Sequence, residues 1–517
     1  MGVERRVGQR PAVTHQRRPP GLFACRPAQN VRQGLRSLPF AGHCSSGVPP
    51  DRWGHEGIRG RSSHRHIRSR HVTGGQLGRP SVRRHRGVRP VAVRKPRSGG
   101  METMSATVVD LDDLDLFVCG DPHAIWARLR REAPVHWNAG PDGTGHWALT
   151  RYADVAAAYV DPVTFSSRHG TVLGGSYRSA TDTASGQMLI CSDPPEHRLL
   201  RQQVHPAFGQ QMMTKAAGYV RSYLTAALDR FVQAGGGDFA TEVAPQLPAG
   251  LLTAMLGIGR EDAFHLLGLT RRMIGFRDDE YASRSGGPMT LVAAQAEIFE
   301  FLGDLVVHRR RNPGNDLISI LLQARINGRA LTEDQILYNA LNVAVGGDET
   351  TPFTASAIVE ALASHPVQAR RLRDDPGLNR TAVEEFFRWT STNAYVRRTA
   401  TRDVDVRGVT IRAGDTVTLW NASANRDPDA FPSPDRLDLG RSPNQHLAFG
   451  VAHHRCIGMG AARMEIAMLT EEIARRGLRF EVSGPVRRLR SNFMLGITHL
   501  PVTVTLFGQS PGLRQPP

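Results

Sequence analysis

One stretch of this sequence restricts the fold more than its composition does. Thr332 and Gln335 have the spacing of a capping box, which opens a helix. An apolar stripe at helical spacing follows through Ile336, Leu337, Ala340, Leu341, Ala344 and Val345. Gly346-Gly347-Asp348-Glu349-Thr350-Thr351-Pro352 then breaks the pattern, which resumes from Phe353 to Ala363. In a helix interior each glycine costs about 1 kcal/mol and a proline about 3 kcal/mol. Pro352 also lacks the N–H that the carbonyl of Asp348 would accept. A kink kept at that cost marks a candidate functional site. Gly346 and Gly347 open a groove there, and Glu349 and Thr350 are an acid and an alcohol able to pass protons. The plainer alternative is two helices joined by a short turn, with Thr350 as a cap.

A second pattern follows later in the chain. Phe449-Gly450-Val451-Ala452-His453-His454-Arg455-Cys456-Ile457-Gly458 sets one cysteine just ahead of a predicted helix over Gly458–Arg476, which Gly477 ends. The dipole and free N–H groups at a helix start favour a thiolate over a thiol. Glycines on both sides let the backbone approach a flat cofactor. A thiolate is the axial ligand that pushes electron density onto haem iron. Two other readings stand beside this one. A lone cysteine is most often a buried small hydrophobe. A zinc site built from His453, His454 and Cys456 lacks a fourth ligand and has poor spacing.

Charge narrows the search further. The 517 residues carry a net charge of +17, but residues 1–100 alone hold 22 Lys+Arg against Glu4, Asp51 and Glu56. The rest is nearly balanced, with 43 Lys+Arg and 45 Asp+Glu. The first hundred residues are rich in Arg, Gly, Pro, Ser and His and lack apolar periodicity, so a disordered basic extension is expected. A nucleic-acid-binding tail is one alternative. Another is a mis-assigned reading frame, with the true start at Met101 or Met104, where the composition changes. The five cysteines (Cys25, Cys44, Cys119, Cys191 and Cys456) are scattered, and five cannot all pair. That suits a reducing cytoplasm. No run of 18 apolar residues predicts a membrane span, and no apolar stretch near the start suggests a secretory signal.

From residue 101 to 517 the pattern reads as mainly α with small β-sheets. Helices are expected at Pro122–Glu132, Tyr152–Tyr159 and Pro194–Phe208, and a strand at His146–Thr150. A long loop is expected over Phe165–Ile190, hairpin character over Val404–Leu419, and strands over Arg479–Leu506.

Taken in order, these motifs resemble those of the cytochrome P-450 family, over about Leu111 to Leu506. The family's haem-binding loop reads Phe-Gly-x-Gly-x-His/Arg-x-Cys-x-Gly, matched here by Phe449, Gly450, His454, Cys456 and Gly458. Its helix motif, Ala/Gly-Gly-x-Asp/Glu-Thr-Thr/Ser, is matched in full from Gly346 to Thr351. The resemblance implies a long kinked helix over haem b, with Cys456 as the iron ligand and Gly347 beside the cofactor. It implies that His197, Arg201, Arg398 and His454 bind haem propionates, and that Glu349 and Thr350 guide protons. Glu385 and Arg388, taken alone, are an ordinary helix ion pair worth a few tenths of a kcal/mol. In the family such a pair locks the core with a later arginine, for which Arg436 is the candidate. One departure is Ala452 where the family usually has glycine. If that position needs a left-handed backbone, alanine costs about 1 kcal/mol.

The implied reaction uses dioxygen and two electrons to oxidise a medium-sized organic substrate. Hydroxylation ranks ahead of epoxidation, and secondary-metabolite tailoring is the expected setting. The substrate is expected to be a small molecule, free or tethered to a carrier protein. Only 61 residues follow Cys456, too few for a flavin domain, so a ferredoxin and its reductase are the expected electron donors. A cytoplasmic monomer, binding neither membrane nor nucleic acid, is expected. Pocket residues are expected from Phe165–Ile190, Val343–Gly347, Asn393–Val396 and Phe493–Ile497. Three rivals stay open. A peroxide-driven haem-thiolate enzyme has less use for the Glu349–Thr350 pair. A haem sensor without turnover has no use for the groove. A basic nucleic-acid-binding protein rests on residues 1–100 alone.

Overall fold

Apolar residues at helical spacing build most of the chain, and one helix is apolar all round. Gln246–Leu256 is buried at every position, as expected of a helix with neighbours on all sides. It packs against the long helix Gln210–Gln233, and Gly250 permits the approach: a Cβ there would lie 2.7 Å from Val220 Cα. Gly257, with φ 65°, ends the helix in the left-handed conformation that glycine favours. This computed structural model describes residues 109–140, 144–173 and 184–507, all in one unit spanning Thr107–Pro517. The basic extension expected over residues 1–100, with Met101 and Met104, lies outside the described residues.

Helices Arg260–Ile274 and Gly287–Arg311 pack on each other beside this core. Helix Met459–Arg475 packs against Asn379–Thr390. The largest sheet has five strands in the order Val135–Ala139, Gly145–Leu149, Thr416–Leu419, Val396–Ala400 and Phe165–Ser166. Its register sets Arg398 opposite Val417. A three-stranded sheet joins Leu478–Val482, Pro501–Leu506 and Gly236–Asp238. The mainly α architecture with small sheets is therefore as read from the sequence, and helix Pro122–Glu132 has the expected bounds.

Two local expectations need correction. The hairpin read over Val404–Leu419 is shorter: Val404–Val406 pairs with Val409–Ile411 around Arg407 and Gly408, both at positive φ. Thr416–Leu419 leaves it at Gly414 (φ 92°) to join the large sheet, because its buried side chains belong to that core. The second correction concerns the long helix. The capping box of Thr332 and Gln335 is formed in both directions. The helix runs Glu333–Asp348, Glu349 interrupts it, and Thr350–Ser364 follows. Pro352 therefore lies in the first turn of the second segment, where the N–H it lacks has no helical acceptor to lose. The expected proline cost is not incurred. Gly346 and Gly347 fall in the last turn of the first segment, not in a helix interior.

Candidate active site

Cys456 sits where backbone geometry leaves little choice. Its N–H donates to the carbonyl of Phe449 at 2.8 Å, closing the loop on itself. Gly450 has φ 61°, and a Cβ there would come within 3.1 Å of the Tyr159 ring. Ala452 has φ 60°, so the position does need a left-handed backbone and alanine carries the strain. Gly458 caps the helix Met459–Arg475, and its N–H bonds the Cys456 sulfur. Phe449 packs on Phe387, with ring centroids 4.6 Å apart, and lies under the Arg463 guanidinium at 5.2 Å.

The thiol is open to one large pocket, of about 410 Å³, and is otherwise enclosed. Burial pushes the Cys456 thiol up, outweighing the Gly458 N–H and the charges of Arg201 and Arg463, which pull it down. Among the described residues no cluster of three or more His, Cys, Asp or Glu is placed to hold a metal, which removes the zinc reading of His453, His454 and Cys456.

Gly346, Gly347 and Thr350 line the same pocket. A Cβ added at Gly346 would meet no protein atom within 4 Å, and one at Gly347 only Leu251 at 3.7 Å. Neighbouring protein therefore does not require these glycines, and what they leave open is pocket. The Thr350 hydroxyl donates to the Gly346 carbonyl at 2.9 Å, taking up an acceptor exposed where the helix breaks. Glu349 does not line this wall. It is fully buried and points into the protein, where Arg271 Nε binds one oxygen at 2.6 Å and the Thr270 hydroxyl lies 3.0 Å from the other. Burial opposes the Arg271 charge, but Glu349 and Tyr281 more than offset it.

One edge of the pocket gathers His197, Arg201, Arg398 and His454. His197 and Arg201 lie one turn apart on the helix Glu196–Val204. Arg398 projects from the large sheet, and the His454 and His197 ring centroids are 4.1 Å apart. Among the described residues none of the four pairs with a carboxylate. Burial, then Arg201, lowers His197 to about 4. Burial, then Arg398, lowers His454 to about 2. Two unpaired guanidinium charges and two imidazoles suit a ligand that brings its own carboxylates. An enclosed sulfur facing a glycine groove, with this basic edge between, fits a haem bound through Cys456.

Below the loop, Glu385 and Arg388 are fully buried and joined by two hydrogen bonds of 2.8 Å. Their third member is Arg441, whose Nε lies 3.0 Å from Glu385. Arg436, the residue expected in that role, has an exposed side chain and contributes its main-chain carbonyl, which accepts from Arg388 and Arg441. A tight turn at Ser433–Arg436 presents the backbone instead of the guanidinium. The sequence reading also missed Glu384, which holds Arg463 at 2.7 Å and His446 at 3.2 Å and so braces the Phe449 loop. Arg271 and Thr270 were missed too. No local signal marks them, because the helix Arg260–Ile274 carries other charged residues at Arg260, Glu261, Asp262 and Arg272.

Of the expected pocket segments, Thr171–Leu173, Met188–Ile190, Asn393, Val396, Phe493 and Met494 reach the cavity, as do Val343 and Val345–Gly347. Residues 174–183 lie outside the described residues. Met273, Ile274, Phe276 and Leu291, from the two adjacent helices and their connection, were not anticipated.

The family model of cytochrome P-450 matches residues 378–502. Linalool 8-monooxygenase of Pseudomonas putida is 33% identical over 405 residues, which are 76% of this chain and 98% of that protein. Among solved structures, the P-450 OxyD involved in biosynthesis of vancomycin-type antibiotics superimposes with a TM-score of 0.68 at 33% identity. The match covers 77% of this chain and 100% of that one. P-450 BioI, solved in complex with a fatty-acid-ligated acyl carrier protein, gives a TM-score of 0.67 at 28% identity, covering 76% and 100%. Similarity of this extent, over a site of this geometry, decides the matter: the chain belongs to the cytochrome P-450 family and is a haem-thiolate monooxygenase, an oxidoreductase.

Proposed function

We propose that this monooxygenase hydroxylates a C–H bond of a medium-sized, largely apolar molecule, with electrons from a separate ferredoxin and reductase. The observation that carries the reading is that Cys456 and Thr350 line one pocket together with 22 Met, Leu, Ile, Val and Phe residues, the largest group in its lining. When bound, haem b supplies the chemistry of dioxygen activation, with the thiolate pushing electron density onto the iron. Cys456 would hold the haem iron through its sulfur. Phe449, Gly450 and Gly458 shape the loop that presents it. Arg201, Arg398, His197 and His454 would hold the propionates, and Gly347 would leave room in the pocket for the cofactor and dioxygen. Thr350 Oγ1 holds a proton at the groove. Glu349, supplied from the Arg271 side, recharges that hydroxyl after turning from its buried partner. Glu385, Arg388 and Arg441 keep the cysteine loop in register.

Among the described residues no helix is long and apolar enough to cross a membrane; a cytoplasmic, monomeric enzyme is part of the proposal. Residues 1–100 are taken as an extension outside the catalytic domain of 101–517. A carrier-tethered substrate is a second reading, favoured by the similarity to the carrier-bound P-450 BioI.

The reduced, carbon monoxide-bound spectrum tests the ligand: the red-shifted Soret band of thiolate-bound haem is expected, and its absence rejects the assignment. Reconstitution with a surrogate ferredoxin and reductase tests the reaction. Linalool, pseudoionone and an acyl carrier thioester form the substrate panel. A hydroxylated product from any member supports the reading, while haem binding without dioxygen consumption points to a sensor.

A further inference from the structure

The reading above leaves the residue ahead of Glu349 without a task. Asp348 is fully buried on the face of the helix turned away from the pocket. Its Oδ1 has no hydrogen-bond partner, and its Oδ2 lies 3.3 Å from Thr270 Oγ1. That same hydroxyl lies 3.0 Å from Glu349 Oε1 and 3.1 Å from the carbonyl of Leu267. A hydroxyl carries one proton. Two carboxylate oxygens around one hydroxyl proton repel each other, and a carboxyl that supplies a proton of its own relieves that repulsion. Glu349 is the anion, because Arg271 binds its other oxygen at 2.6 Å.

Asp348 has no such cation in contact. The groups that act on it are Glu349 beside it, Thr270 and Arg271 on helix Arg260–Ile274, and Glu465 on helix Met459–Arg475. Burial, then Glu349, holds the Asp348 carboxyl well above the usual range, while Thr270 and Arg271 pull the other way.

We infer that Asp348 is a neutral carboxylic acid at working pH, that it donates its hydrogen bond to Thr270 Oγ1, and that it stores the proton that recharges Glu349. The proton leaves Asp348 Oδ2 for Thr270 Oγ1 as the hydroxyl's own proton moves to Glu349 Oε1. One O–H bond breaks at Asp348 and one forms at Glu349, the threonine is unchanged, and the negative charge passes from Glu349 to Asp348. Nothing is oxidised or reduced, and a hydronium ion from solvent returns the proton to Asp348, leaving water. This rests on the proton-delivery role proposed for Glu349, and Asp348 acts through Thr270 and Glu349 as a positioning residue.

Infrared spectroscopy of the haem-loaded protein at neutral pH tests the storage. Two carbonyl bands of protonated carboxyls are expected, since burial also raises Glu465 to about 8. Asp348→Asn should remove one band and Glu465→Gln the other. A spectrum left intact by Asp348→Asn overturns the inference. The relay is read from the solvent deuterium isotope effect on substrate-free dioxygen consumption, driven by a surrogate ferredoxin and reductase. Asp348→Asn and Thr270→Val should each slow consumption about tenfold, less than the roughly 10²–10⁴-fold of a direct acid or base, and enlarge the isotope effect. Thr270→Ser should restore both. Loss of the band with an unchanged isotope effect leaves Asp348 a structural part only and overturns the relay. Glu349→Gln and Thr350→Ala test the underlying role separately. If neither raises peroxide release, that role fails, while the infrared bands still report on Asp348.

Discussion

The loop that carries Cys456 and the helix break that carries Thr350 line one cavity, yet they hold their shape by different means. The cysteine wall is held by main-chain hydrogen bonds, Gly450 and Ala452 at positive φ, and the buried group Glu385–Arg388–Arg441. The opposite wall is held by single hydroxyls and one buried ion pair, Arg271–Glu349, and keeps an acid oxygen without a partner. A wall that fixes one ligand atom gains from redundant constraint. A wall that moves protons needs groups able to exchange partners, and redundancy there would block the exchange.

Substitutions on the two walls should therefore fail differently. The largest effect is expected from Cys456→Ser, which should abolish the red-shifted Soret band and turnover together. Glu385→Ala comes next. It leaves two buried arginines without their carboxylate, at a cost of about 3–5 kcal/mol by denaturant unfolding, with haem content falling in parallel. Arg436→Ala is its control, expected within about 0.5 kcal/mol of the parent because only the backbone of Arg436 is used. On the other wall, Thr350→Ala should cost at most about 1 kcal/mol of stability. It should nevertheless divert most electrons to peroxide, measured as product formed per dioxygen consumed.

A third hold is pH-dependent. His499 lies 2.7 Å from Asp238 and 3.0 Å from Glu280, in the connection between the two helices beside the pocket. Burial opposes the imidazolium charge, but the two carboxylates outweigh it and the His499 pKa is raised. A raised pKa stabilises fully below the ordinary histidine value and fades as pH rises through the folded one. His499→Gln should thus lose about 0.5–1 kcal/mol near pH 6 and little near pH 9. The smallest effect is expected from Ala452→Gly. Relief of the left-handed strain, less the added freedom of the unfolded chain, should gain about 0.5 kcal/mol in thermal unfolding. A loss instead would show that the cysteine wall is not strained at Ala452.

The two walls also differ in how far they were legible in the sequence. The loop could be read almost residue by residue, because its constraints are local: Gly450, Gly458 and the carbonyl of Phe449 all lie within ten residues of Cys456. The helix break was legible as a break, but not the direction of its acid. Glu349 turns inward because Arg271, 78 residues earlier, provides its counter-charge, and no local pattern encodes that contact. Arg441, which the sequence does not single out beside Arg436, is hidden for the same reason. Five residues apart on an irregular segment, only the path of the backbone decides which guanidinium reaches Glu385.

By itself, then, the sequence determined the mainly helical build, the cysteine loop, the capped helix with its glycine gap, and the strain at Ala452, all set by neighbours a few residues away. The tertiary structure alone decided where charge is compensated. It gave Glu349 to Arg271 and Glu385 to Arg441, and among the described residues it left the basic edge without carboxylates. Burial sets the cost of an unpaired charge, and burial arises only when distant segments pack together.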